Sequence, residues 1–124
     1  MVKGRFNGFL PSIIWTIVIV IVSVLPGNEV KPPTFLDFWN VDKLAHLVVY
    51  AIHSYLILVG FLLSYKTKKN DYVVRSFILS ISLGVLLEVV QHFCTQDRHF
   101  DLADMLANGI GTIIGLLCFM QLHK

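Results

Sequence analysis

The sequence predicts an all-α polytopic membrane protein, a bundle of four transmembrane helices. Apolar residues make up 56% of the 124 positions and charged residues only 15%, against about a quarter charged in a soluble domain. The mean hydropathy is +0.73, and a chain this short has too little interior to keep so many apolar side chains from water. The apolar residues also gather into four stretches, 10–25, 44–65, 73–94 and 102–122, separated by polar segments. A hydrocarbon core about 30 Å thick needs about 20 helical residues; three of the stretches meet that, and the first is shorter, near the lower limit.

The first stretch follows Lys3 and Arg5, as a signal peptide would, but ends in Leu25-Pro26-Gly27 without a small-x-small cleavage site. It therefore reads as a retained helix. Its Ile and Val content would favour a strand in water, but in lipid every backbone polar group needs an internal partner, which an isolated strand cannot supply. A transmembrane barrel would need alternating segments of about ten residues, and none is present. Residues 26–43 hold Pro26, Gly27, Pro32 and Pro33 and read as a loop. Within it, Thr34 to Trp39 mixes aromatic and acidic residues, as suits the lipid–water boundary. Residues 66–72 and 95–101 read as polar turns, and residues 1–124 as a single domain.

Lys and Arg near segment ends set orientation. Lys3, Arg5, Lys66, Lys68, Lys69, Arg75 and Lys124 fall on one side and Lys31, Lys43 and Arg98 on the other, seven against three. The expectation is a multi-pass protein of the cell membrane with both termini cytoplasmic. No basic run suggests nucleic acid as a partner. Cys94 and Cys118 fall near opposite ends of their stretches, so no disulfide is expected, and there is no CxxC or thiol zinc motif.

Ionisable residues within membrane helices cost about 2.5–3.5 kcal/mol each on insertion scales, so their positions carry information. Asp42, His46, Tyr50 and His53 recur at helical spacing on one face of the second segment. Gly84, Glu88, Gln91 and His92 share a face of the third. Asp97, Asp101, Asp104, Asn108, Gly111 and Gly115 recur every three or four residues along the fourth, polar first and glycine after. With the helices alternating in direction, Asp42, Lys43 and His46, then Glu88 and Gln91, then Arg98, Asp101, Asp104 and Asn108 reach the same outer depth. They should converge into one outward-facing site, with His46, Glu88 and Asp104 as the candidates for acid–base chemistry. Gly84, Ala107, Gly111 and Gly115 read as helix-packing positions, the last three at small-xxx-small spacing.

The pattern Asp42-Lys43-x-x-His46-x-x-x-Tyr50, then Gly84-x-x-x-Glu88-x-x-Gln91, then Arg98-x-x-Asp101-x-x-Asp104-x-x-x-Asn108-x-x-Gly111-x-x-x-Gly115 resembles the VanZ-like membrane proteins. The resemblance spans residues 42–115; the first helix matches only in character, and His53 and His92 lie outside the pattern. It implies a link to bacterial resistance to teicoplanin, a lipoglycopeptide antibiotic. It assigns no reaction.

Each polar residue has a structural and a functional reading. Glu88 forms a buried ion pair with Arg98 or Lys43, or serves as a general base or ligand-binding carboxylate. Asp101 and Asp104 cap the fourth helix or face the bundle. His46 hydrogen-bonds across the bundle or acts as a base or metal ligand. Arg98 pairs with Asp101 or holds a phosphate. Tyr50 and Gln91 read as hydrogen-bonding supports, Asn108 as a bridge between helices, and His53 and His92 as internal histidines with satisfied nitrogens. Three functions follow. The first is binding of a membrane lipid, lipid-linked envelope precursor or lipoglycopeptide at the outer site, with Lys43 and Arg98 taking an anionic head group. The second is an intramembrane hydrolase or transferase on a lipid-linked phosphate. The third is a structural polar network in a membrane scaffold. No motif calls for a cofactor, whereas the carboxylate and imidazole set would accept a divalent metal. The oligomeric state is open. The orientation predicts that a fluorescent reporter fused after Lys124 lights up inside the cell while a secreted-phosphatase reporter there stays inactive; the reverse pattern would invert the topology.

Overall fold

The computed structural model describes residues 2–24, 39–65, 69–94 and 102–122, and within them the side chains of 8–24, 43–65, 70–93 and 102–122. These residues form four helices, α1 (Val2–Val24), α2 (Trp39–Ser64), α3 (Lys69–Cys94) and α4 (Leu102–Leu122). The stretches Lys43–Ser64, Asn70–Phe93 and Leu102–Leu122 are long and apolar enough to cross a membrane, and the apolar part of α1, Gly8–Val24, is shorter. The fold class is thus the expected one, an all-α multi-pass membrane protein. Three helix starts differ from the sequence reading. Helix α1 begins at Val2 rather than Leu10. Residues 39–43 are helical rather than loop, and α3 already begins at Lys69, inside the segment read as a turn. Apolar runs mark the hydrocarbon core, whereas a helix continues past it for as long as water or head groups can satisfy its terminal N–H groups. Asp71 in the first turn of α3 also suits the positive end of the helix dipole.

The outside of the bundle is aliphatic. Ile14, Ile17, Ile21, Val74, Leu86 and Leu117 are all exposed, a surface that water would not tolerate on this scale and lipid does. The inside carries much of the polarity: Ser54, Ser80 and Thr112 are fully buried, and His53, Gln91 and Asn108 nearly so.

Helix α2 is the hub, packing against α1, α3 and α4, while α3 also packs against α4 and touches α1. Consecutive helices run antiparallel. Phe9 meets Phe61 edge-on, Phe61 stacks on Tyr72 at 5.5 Å, and Tyr55 meets Phe119. These contacts gather the start of α1, the end of α2, the start of α3 and the end of α4 at one end of the bundle. Midway, one residue from each helix joins a polar layer. His53 Nε2 lies 2.9 Å from Thr16 Oγ1 and its Nδ1 lies 3.0 Å from Ser80 Oγ. Thr112 Oγ1 reaches Ser80 Oγ at 3.1 Å. His53 is therefore an internal histidine with both nitrogens engaged. His92 is exposed and meets Phe93 edge-on, so it is not internal as expected; it lies one residue past the buried Gln91, turned about 100° around the helix.

The tightest approach is between α2 and α4, which run parallel. A Cβ on Gly111 would collide with the backbone of Leu47, and one on Gly115 with the carbonyl of Ala51 and the hydroxyl of Ser54. Gly109 has room, its nearest neighbour being Ile81 at 3.6 Å. Gly111→Ala should therefore lower the unfolding free energy in detergent by about 1–3 kcal/mol through overpacking. Gly109→Ala should be neutral, or stabilise by up to about 1 kcal/mol from helix propensity. Thermal unfolding of both variants followed by circular dichroism checks the contrast, and equal effects would contradict it.

Candidate functional site

The end of the bundle opposite the aromatic cluster brings together the polar halves of α2, α3 and α4. Lys43 and His46 lie one turn apart on α2, Glu88 and Gln91 on α3, and Asp104 and Asn108 on α4. One ligand atom each from His46, Glu88 and Asp104 lies within 4.8 Å of the other two. Glu88 is buried, with 2% of its surface exposed, whereas His46 and Asp104 are half-buried. Lys43 Nζ donates to Asp104 Oδ1 at 2.5 Å, and Asp104 Oδ2 lies 3.7 Å from His46 Nε2. The other face of the ring, Nδ1, lies 2.9 Å from Asn108 Oδ1. Asn108 thus bridges α4 to α2. Asp104 occupies the first turn of α4, where the dipole favours a carboxylate, yet its oxygens are turned to α2.

Lys43, read from the sequence as a group for a ligand's anionic head group, is engaged with Asp104 here, since an isolated ammonium at this depth would be costly and a carboxylate lies within reach. The side chain of Asp42, and Arg98 and Asp101 entirely, lie outside the described residues. The packing glycine Gly84 lets α3 come close to Asn108 and Tyr50. A Cβ there would stand 3.2 Å from Asn108 Nδ2 and 3.4 Å from the Tyr50 ring. Ala107 is buried between helices.

A cavity of about 240 Å³ opens beside this cluster. Its polar wall includes His46, Tyr50, Glu88, Gln91 and Asn108, and its apolar wall comes mostly from α1, with Trp15, Val18, Ile19 and Val22, completed by Ala45, Val49 and Leu87. Sequence reasoning drew no site residue from α1. Trp15, the one aromatic between Leu10 and Leu25, was the available signal. Its indole N–H donates to the Val49 carbonyl at 3.0 Å, and Gln91 Nε2 donates to the Ser23 carbonyl at 2.9 Å. The second bond satisfies an acceptor near the C-terminal end of α1, where intrahelical donors run out. Ser76 and Ser80 were also missed. They continue the Gly84–Glu88–Gln91 face back by two turns, and small hydroxyls on an apolar helix give that signal at helical spacing.

Glu88 and Asp104 bring two carboxyl groups into one cluster. Two carboxylates within 4.8 Å repel by at least about 3 kcal/mol at an effective dielectric constant near 20. Lys43 offsets this at Asp104, so its removal should be felt. Lys43→Met should destabilise the protein by about 1–3 kcal/mol, and adding Asp104→Asn should recover part of that loss. A double-mutant cycle of thermal unfolding in detergent measures the coupling; additive losses would mean that the pair contributes nothing net.

No curated protein and no solved structure matches the chain. The family model of VanZ/LLP1 matches residues 7–123, a span that takes in His46, Glu88, Asp104 and the apolar wall of α1. The chain belongs to the VanZ/LLP1 family.

Proposed function

We propose that this protein binds a membrane amphiphile, namely a lipid, a lipid-linked envelope precursor or a lipoglycopeptide, with its head group in the cavity between α1 and the polar ends of α2–α4. The observation that carries this reading is the mixed lining of that cavity, in which apolar side chains, most of them on α1, stand beside the hydrogen-bonding groups of His46, Tyr50, Glu88, Gln91 and Asn108. A molecule with both characters in one place is what such a wall complements. The volume limits what enters. About 240 Å³ is roughly eight times the share of one water in the liquid, enough for a head group and the first carbons of a chain. The rest of the chain runs along the lipid-facing surface of the bundle. The seven-to-three distribution of Lys and Arg supports a site that opens to the outer face. Membership of the family, with the resemblance to VanZ-like proteins, supports teicoplanin or the envelope precursors around it as the class of occupant.

Trp15 supplies the assay. The chain has two tryptophans, so Trp39→Phe leaves Trp15 as the sole reporter on the cavity wall. Amphiphiles brominated close to the head group should quench it saturably. Val18→Phe, which adds bulk to the apolar wall of the cavity, should weaken that binding at least tenfold without loss of helicity. Quenching that never saturates, or that ignores the substitution, would sink the reading. In a teicoplanin-sensitive Gram-positive host the chain should raise teicoplanin tolerance and leave vancomycin tolerance unchanged. Glu88→Gln at equal membrane abundance should abolish the gain.

A further inference from the structure

His46, Glu88 and Asp104 form a mixed donor set of one imidazole nitrogen and two carboxylate oxygens, brought from three separate helices to within 4.8 Å of one another. The imidazole is prepared for a role beyond hydrogen bonding. Its Nδ1 lies 2.9 Å from Asn108 Oδ1. In the tautomer that donates from Nδ1 to this carbonyl oxygen, Nε2 faces the carboxylates with its lone pair and can ligate an ion. Metal-bound histidines are held in this way, the outer nitrogen donating to a fixed oxygen. Nε2 stands 3.7 Å from Asp104 Oδ2. Donors around a tetrahedral ion with bonds of about 2.1 Å stand roughly 3.4 Å apart, so a small rotation of either side chain closes the gap. Lys43 holds the other oxygen of Asp104, which leaves Oδ2 as a single, aimed donor. His46 and Glu88 also line the cavity, so an ion held there would keep a coordination position open to it.

The cavity lining points the same way, because no Lys or Arg is among the described residues that line it. A divalent cation at its edge would supply positive charge toward a phosphate. We propose that His46 Nε2, Glu88 and Asp104 bind one divalent cation of the zinc or manganese class, whose open position takes the phosphate of the bound amphiphile. The ion site stands independently; the phosphate half rests on the amphiphile reading above.

Manganese is the better probe, because zinc would also seek the thiols of Cys94 and Cys118. Untagged protein, stripped with chelator and held in phosphate-free detergent, is titrated with Mn²⁺ and followed by electron paramagnetic resonance. One bound ion per chain is expected. Glu88→Gln and Asp104→Asn should each weaken binding at least 100-fold, and Asn108→Leu about 10–100-fold through the lost support of the ring. Cys118→Ser, on an exposed position of α4, should bind as the parent does. If a variant fails to fold, the parent protein still decides: pulsed measurements should show coupling of the bound Mn²⁺ to an imidazole nitrogen. Folded protein without saturable binding, binding that survives both carboxylate substitutions, or a signal with no nitrogen coupling would each overturn the ion site. The second arm titrates phosphatidic acid in mixed micelles into stripped and Mn²⁺-loaded protein, with Glu88→Gln as the control for ions bridging micelle phosphates. At least tenfold tighter binding with the ion is expected. Equal affinity with and without it would overturn the phosphate half alone, and no lipid binding in either state would overturn the amphiphile reading while leaving the ion site standing.

Discussion

The close contact of α4 with the backbone of α2 is the constraint on which the rest of the arrangement depends. Leu47 lies against Gly111 and Ala51 against Gly115, and Tyr55 meets Phe119 one turn further on. In two parallel helices that match, turn for turn, fixes the register along the whole interface. Carried back toward the starts of both helices, it sets Asn108 opposite His46 and Asp104 beside Lys43. A slip of one helical turn would move α4 by about 5.4 Å and strand each of these partners. Small residues make the contact possible because no apolar driving force pulls helices together in lipid, so close packing and polar bonds must hold them. Here both occur on one face of α4.

The polar layer in the middle of the bundle works with that interface. Thr16, His53, Ser80 and Thr112 contribute one group from each helix and share hydrogen bonds across three interfaces. Ser54 adds a bond from α2 to the Thr112 carbonyl at 2.9 Å. Such groups have no water to turn to in a bilayer, so they order the helices around His53. The layer also separates the two ends of the bundle. On one side the aromatic rings of Phe9, Phe61, Tyr65 and Tyr72 pack together; on the other lie the His46, Glu88 and Asp104 cluster and the cavity.

Helix α1 has a different task. It supplies no charge to the described cluster, but closes the cavity with Trp15, Val18, Ile19 and Val22 and is tied to it through the Trp15–Val49 and Gln91–Ser23 bonds. The polar wall is therefore built by the three helices that carry the recurring motif residues. The apolar wall comes mostly from the helix in which the sequence shows only hydrophobic character. An apolar wall asks for volume rather than for a particular functional group, so many aliphatic sequences satisfy it. That explains why α1 gave no readable site pattern.

What the sequence determined by itself was the class of solvent, the number of helices and the faces that could not be left in lipid. Those follow from composition, run length and helical period, which are local properties of the chain. The spacing of Asp104, Asn108, Gly111 and Gly115 showed one side of α4, and orientation brought His46 and Glu88 to its depth, so the meeting of these three helices was legible. Partner choice was not. Lys43 goes to Asp104, and His46 divides its two nitrogens between Asn108 and the carboxylates. Those choices turn on separations of an ångström or less between side chains far apart in the chain. Only the tertiary packing decides them, because the distance at which a charge meets its partner is set by how closely the helices stack and not by the residues that carry it.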